Sequence, residues 1–248
     1  MERIHLLAIF ALLYVFSVFP AFAQEKIRVA VAANYIVPFQ EMARLFTART
    51  GIPVETAYGS TGQLYAQIIN GAPYNLFLSA DRENPDRLYQ DKRAEAPFVY
   101  ATGRVVLWTL RKDLCGASDW RQILAMPGVK KLAIANPKSS PYGAAAQIAL
   151  EKAGRAGSMH DRLIFAQNIA QAFQYASTRS VDGGFCALSA ALSEVGRKGC
   201  FYMMDEAPPV VQSACLLKRS AGREGAEKLI RFLSSPEAAT VKRKFGYL

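Results

Sequence analysis

Between Lys26 and Leu78 the chain alternates strand and helix signals, and that alternation constrains the fold more than any other feature. Lys26 to Ala33 is a run of small and β-branched residues that reads as a strand. Val37 to Thr50 places Phe39, Met42, Ala43, Leu45 and Phe46 on one helical face, and Gly51 follows where a C-cap belongs. Ile52 to Tyr58 reads as a second strand, Gln63 to Ile69 as a second helix, and Tyr74 to Leu78 as a third strand. Parallel strands need a crossover between them, so strands alternating with helices imply a parallel sheet in an α/β domain.

The same grammar continues after Tyr100. Gly103 to Leu110 reads as one long strand able to carry the chain into a second lobe. Helix signals follow at Trp120–Met126, Ala144–Ala153, Asn168–Ser177 and Ala190–Val195, with strands at Lys131–Ala135 and Gly184–Leu188. Val210 to Leu217 is apolar enough for a return strand, and Gly225 to Phe245 is helical, with Ser235-Pro236 placing proline in a first turn. The expected organisation is two α/β lobes. Residues 24–102 form the first, completed by 218–248, and residues 103–217 form the second.

The N-terminus stands apart. Arg3 and His5 precede an apolar stretch from Leu6 to Phe19, and Ala21-Phe22-Ala23 supplies a small–x–small cleavage pattern. That reads as a secretory signal peptide over residues 1–23. The stretch is short for a span of roughly 20 residues. Export favours disulfides, and the chain has 4 cysteines: Cys115, Cys186, Cys200 and Cys215. At least one disulfide is expected; all three full pairings stay open, and no CxxC spacing points to zinc. The formal charge is +10, but the Lys and Arg residues are scattered. With export, that argues against nucleic acid and fits a field that draws in small anions.

Ligands of open α/β sheets sit beyond the carboxyl ends of strands, where helix N-termini offer unpaired N–H groups and a dipole favourable to negative charge. Four places here fit: Ala33-Asn34-Tyr35, Gly59-Ser60-Thr61-Gly62, Ser140-Pro141-Tyr142-Gly143, and the turn into the helix at Asn168. Serine and threonine before helices also serve as plain caps. Function is argued by the recurrence of such places in both lobes. Asp81 is expected to cap the helix that follows it.

Several stretches together resemble a known family. They are Val31-Ala32-Ala33; Gly59-Ser60-Thr61 with Leu64, Gln67-Ile68 and Gly71-Ala72-Pro73; Leu76-Phe77-Leu78-Ser79-Ala80-Asp81; Asn136-Pro137 with Pro141 and Gly143; and Ser235-Pro236-Glu237-Ala238-Ala239 with Phe245-Gly246-Tyr247. They are similar to the periplasmic molybdate-binding proteins of ABC importers, over nearly the whole chain beyond the signal segment. The resemblance implies the two-lobed periplasmic-binding-protein fold, each lobe a mixed sheet flanked by helices, with the ligand cleft between lobes. It also implies a periplasmic monomer that binds molybdate or tungstate and serves an inner-membrane ABC permease, with no cofactor and no catalysis. Family site positions fall on Asn34, on Ser60 or Thr61, on the amides of Tyr142 and Ile169, and on Cys186. The chain departs from the pattern at Asn34, where the family has serine, and at Cys186, where many members have tyrosine. Ser189 stands where aspartate is usual.

Those departures keep other readings open: a relative that takes another oxyanion or an uncharged organic solute, an exported enzyme, or a sensor outside transport. Catalysis by Cys186 would need a base, and beyond the signal segment His160 is the sole histidine. Cys186 reads equally as half of a disulfide or as an inert buried thiol.

Overall fold

The computed structural model describes residues 26–219 and 221–248. The leader and its expected cleavage site at Ala23 lie outside them. The first strand, β1 (Ile27–Ala32), runs through a single 3-10 turn at Ala33–Tyr35 into helix α1 (Ile36–Thr50). That helix buries Phe39, Met42 and Phe46 and ends at Gly51 in the left-handed region, φ 72°. Strand β2 (Val54–Gly59), helix α2 (Thr61–Ile69), strand β3 (Leu76–Leu78) and helix α3 (Glu83–Gln90) follow.

Strands β4 (Phe98–Gly103) and β5 (Val105–Thr109) stand where the sequence reads as one strand. The chain changes sheets between them, at Arg104. Helix α4 (Trp120–Ala125), strand β6 (Leu132–Ala135), helix α5 (Pro141–Lys152), the one-turn α6 (Ala156–Met159), strand β7 (Leu163–Ala166) and helix α7 (Ile169–Ser177) come next. They lead to strand β8 (Gly183–Ala187), the short α8 (Leu188–Ala191), strands β9 (Cys200–Met203) and β10 (Val210–Leu216), and helices α9 (Arg223–Leu233) and α10 (Pro236–Lys244).

The two sheets have matching plans. The first runs β2-β1-β3-β10-β4 and the second β7-β6-β8-β5-β9. In each, three strands pair in parallel and two join antiparallel: β1 with β2 and β3, then β10 with β3 and β4; β6 with β7 and β8, then β5 with β8 and β9. The strand Val210–Leu216 therefore belongs to the first sheet, so the second lobe closes before Val210 rather than at Leu217. An apolar return strand does not declare which sheet will receive it; pairing with β3 and β4 decides.

The C-terminal tail completes the first lobe. Thr102 and Leu248 exchange backbone hydrogen bonds at 2.8 and 3.1 Å. The Tyr35 ring meets Tyr100 and Tyr247 edge-on, with centroids 5.0 and 4.9 Å apart. Such pairs add about 0.5–1.5 kcal/mol beyond the area they bury.

A disulfide joins Cys115, after β5, to Cys200 at the start of the edge strand β9, across 85 residues of sequence. Cys186 and Cys215 are buried thiols in different sheets. Burial raises both thiol pKa values, that of Cys215 to about 12. A thiol reagent should accordingly find no reactive cysteine in the native oxidised protein and 2 after denaturation. Replacing Cys115 and Cys200 together by serine should lower unfolding stability by about 2–4 kcal/mol, read by urea denaturation.

Candidate functional site

The two lobes meet over a small cavity of about 10 Å³. On this measure roughly 10–15 Å³ holds one water-sized body, so the cavity suits only a compact occupant. Asn34, Ser60, Thr61, Tyr142 and Ile169 all line it, joined by Ala33, Ala80 and Ser140. Cys186 does not.

Local chemistry places each group. Ser60 caps α2: its Oγ accepts the Gln63 N–H at 3.4 Å, and Gln63 Oε1 accepts the Ser60 N–H at 3.1 Å. This reciprocal pair is a capping box. Ser140 caps α5, its Oγ accepting the Gly143 N–H at 3.4 Å, with Pro141 in the first turn. Asn168 caps α7, its Oδ1 accepting the Gln171 N–H at 3.0 Å. Thr61 Oγ1 accepts the buried Ala80 N–H at 3.0 Å, which fastens the exit of β3 to the start of α2.

Capping and ligand binding are compatible here. In these bonds the Ser60, Thr61 and Ser140 oxygens act as acceptors, so each hydroxyl hydrogen remains able to donate. The Tyr142 and Ile169 amides lie in the first turns of α5 and α7, where a helix provides no internal acceptor. No charged side chain lines the cavity. What it offers negative charge is hydrogen-bond donors and the positive ends of three helix dipoles. Asp81 points its carboxylate elsewhere, accepting the Asn84 N–H at 3.1 Å at the start of α3, the capping role expected of it.

The cleft is shut over this space. Gly62 N–H donates to Ser139 O of the other lobe at 3.0 Å. A Cβ on Gly62 would sit 3.2 Å from Ser139 Cα, so glycine permits this close approach.

Behind the cavity lies a buried polar cluster. Asn34 Nδ2 donates to Gln212 Oε1 at 2.7 Å and to the Tyr247 hydroxyl at 3.0 Å, with the Tyr142 hydroxyl at 3.3 Å. Gln212 Nε2 donates to the Tyr142 hydroxyl at 3.2 Å, and the Tyr100 hydroxyl donates to Gln212 Oε1 at 3.0 Å. Ser189 Oγ donates to Asn34 O at 2.8 Å. Tyr142 therefore faces two ways: its amide lies at the cavity and its phenol in the cluster.

Cys186 is the one site candidate that the structure places elsewhere. It lies mid-strand in β8, packed with Val106, Trp108, Ala176 and Ala191. Successive side chains of a strand point to opposite faces, and position 186 points away from the cleft. Ser140 belongs to the proline loop read from the sequence, although the family positions do not include it. Gln212 and Tyr100 carry no sequence signal as cluster members, because polar groups in apolar stretches gain meaning only from their neighbours in space; Ser189 is marked only as a departure from the family's aspartate. Among the described residues no three His, Cys, Asp or Glu side chains gather as a metal site.

Two mixed α/β lobes shut over a small, donor-lined cavity free of charged groups define a ligand-enclosing binding protein. The family model for bacterial extracellular solute-binding proteins matches residues 27–248, and the chain belongs to that family. It is 38% identical over 231 residues to the molybdate-binding protein ModA of Rhodobacter capsulatus, covering 92% of this chain and 90% of the relative. It is 36% identical over 227 residues to ModA of Azotobacter vinelandii, covering 90% and 89%. The solved periplasmic molybdate-binding protein of Azotobacter vinelandii superimposes with a TM-score of 0.85 at 31% identity, over 90% of this chain and 99% of that one.

Burial raises the phenol pKa values of Tyr35, Tyr100, Tyr142 and Tyr247, so all four are neutral hydrogen-bonding groups at ordinary pH. A folded-state pKa above the unfolded value of about 10 gives stability that is fully present below pH 10. It is lost as pH rises, because the unfolded chain ionises first. Unfolding free energy should thus fall steeply above about pH 10, with the phenolate absorbance of these four tyrosines appearing only together with unfolding.

Proposed function

We propose that the protein binds a tetrahedral oxyanion, molybdate or tungstate, in the cavity between its lobes. On this reading it is a periplasmic monomer that presents its cargo to an inner-membrane ABC permease. The carrying observation is the convergence of the α2, α5 and α7 N-termini on one small space bordered by Ser60, Thr61, Tyr142 and Ile169. Each donor can meet one oxygen of a tetrahedral anion, and helix dipoles supply positive potential without a counter-ion. The names of the relatives from Rhodobacter and Azotobacter support molybdate. That these relatives are binding proteins supports a role without catalysis, as does the buried thiol of Cys186.

One observation favours a second reading. Asn34 Oδ1 is buried without a hydrogen-bond partner. An acceptor beside the cavity would suit an anion that carries a proton, such as hydrogen phosphate.

Thermal unfolding against molybdate, tungstate, sulfate, phosphate and chromate separates the two. A ligand at about a hundred times its dissociation constant should stabilise the protein by roughly 2.7 kcal/mol. Stabilisation by molybdate and tungstate alone is the expected result. Stabilisation by phosphate alone would replace the first reading with the second, and no shift with any of the five would sink both.

Two substitutions sharpen the assignment. Ser60→Ala should weaken molybdate binding by about tenfold, as loss of a donor in a dry site implies. Cys186→Ala should leave the dissociation constant within about twofold while lowering unfolding stability by about 1 kcal/mol. Isothermal titration and urea denaturation of the two variants measure both effects.

A further inference from the structure

The polar cluster behind the cavity is divided between lobes in an uneven way. Asn34, Tyr100, Gln212 and Tyr247 belong to the first lobe; Tyr142 on α5 and Ser189 on α8 belong to the second. All six are nearly inaccessible, between 0% and 5% exposed. The Tyr142 hydroxyl has hydrogen-bond partners in Asn34, at 3.3 Å, and Gln212, at 3.2 Å. Ser189 Oγ has partners in Asn34 O, at 2.8 Å, and the Tyr247 hydroxyl, at 3.1 Å. These four bonds all cross from one lobe to the other.

We propose that the Tyr142 and Ser189 hydroxyls, closing onto Asn34, Gln212 and Tyr247, form a latch that holds the lobes shut and sets ligand affinity without touching the ligand. They are positioning residues, and the proposal rests on the reading that ligand is trapped by lobe closure. A separation of a few tenths of an ångström takes a 3.2–3.3 Å bond beyond hydrogen-bond reach, so the latch is sensitive to small openings. Opening also returns the hydroxyls to water, where they find other partners. The bonds thus count toward the equilibrium between open and closed forms and little toward the folding of either lobe.

Tyr142 links the two events. Its amide in the first turn of α5 lies at the cavity, and its phenol reaches the latch about one side-chain length away. Placing the helix against the ligand and placing the hydroxyl against Gln212 are one movement. The chain makes room for it at the sheet crossing: a Cβ on Gly103 would overlap the Tyr142 hydroxyl and come within 2.9 Å of the Tyr247 ring.

Tyr142→Phe and Ser189→Ala remove only bonds that cross between the lobes, and both keep the backbone amide. Each variant should bind molybdate roughly fivefold more weakly, the equivalent of one net hydrogen bond. The loss should lie mainly in the dissociation rate, read by stopped-flow. The unfolding midpoint of the ligand-free protein should stay near that of wild type, and small-angle scattering should show a larger radius of gyration at subsaturating ligand.

Affinities and dissociation rates within about 1.5-fold of wild type in both variants would overturn the latch. So would an equal loss of stability with and without ligand, because the bonds would then be ordinary structural ones. Should wild type bind none of the oxyanions, the ligand reading fails separately. The latch then stands on the scattering of ligand-free wild type and variants, and equal radii overturn it.

Discussion

The site depends on the direction of six strands. In the first sheet β1, β2 and β3 are parallel, and in the second β6, β7 and β8 are parallel. A helix that follows a parallel strand starts beyond the strand's carboxyl end, and there its unpaired N–H groups and positive dipole end are exposed. Helix α2 follows β2, α5 follows β6 and α7 follows β7. With the carboxyl edges of both sheets facing one cleft, three helix starts meet at one point. The antiparallel strands serve the connection between lobes instead. Strands β4 and β5 carry the chain out of the first sheet, and β10 brings it back.

A cavity that attracts anions through dipoles and hydroxyls differs from one built on lysine or arginine. A buried cation left unpaired when the site is empty would cost several kcal/mol and destabilise the ligand-free protein. Ser60, Thr61 and Ser140 avoid that difficulty, since their oxygens already accept backbone N–H groups, two at helix caps and one at Ala80, and only their hydrogens await a ligand. Among the described residues no lysine or arginine is buried, so their positive charge draws anions without entering the cavity.

Much of this is legible in the sequence, and the boundary of legibility is physical. Strand–helix alternation from Lys26 to Leu78 points to the first parallel sheet because period and punctuation are local properties. Ser60, Ser140 and Asn168 announce helix starts for the same reason. Strands β7 and β9 escape a sequence reading: each has four residues, and both are only partly buried, so neither shows a clear pattern. The sheet that receives β10 differs from the expected one, since pairing is a long-range choice. Gln212 reads as a polar residue beside Ser213 in an otherwise apolar strand, and only the fold brings it to Asn34, 178 residues away.

The contrast between Cys186 and Ser189 shows how family position and physical position part. On β8 the side chain at 186 faces Trp108, so a tyrosine there would meet that packed core unless the strand shifted register. Three residues later the chain has turned into α8, and Ser189 reaches Asn34 O at 2.8 Å. The phenols near the cavity come from elsewhere, Tyr142 on α5 and Tyr247 on the tail. Alignment with a family motif carries residues across by sequence order, whereas contact with a cleft is set by the pleat, the helix start and the lobe that closes. At 186 those criteria disagree, and burial decides for packing.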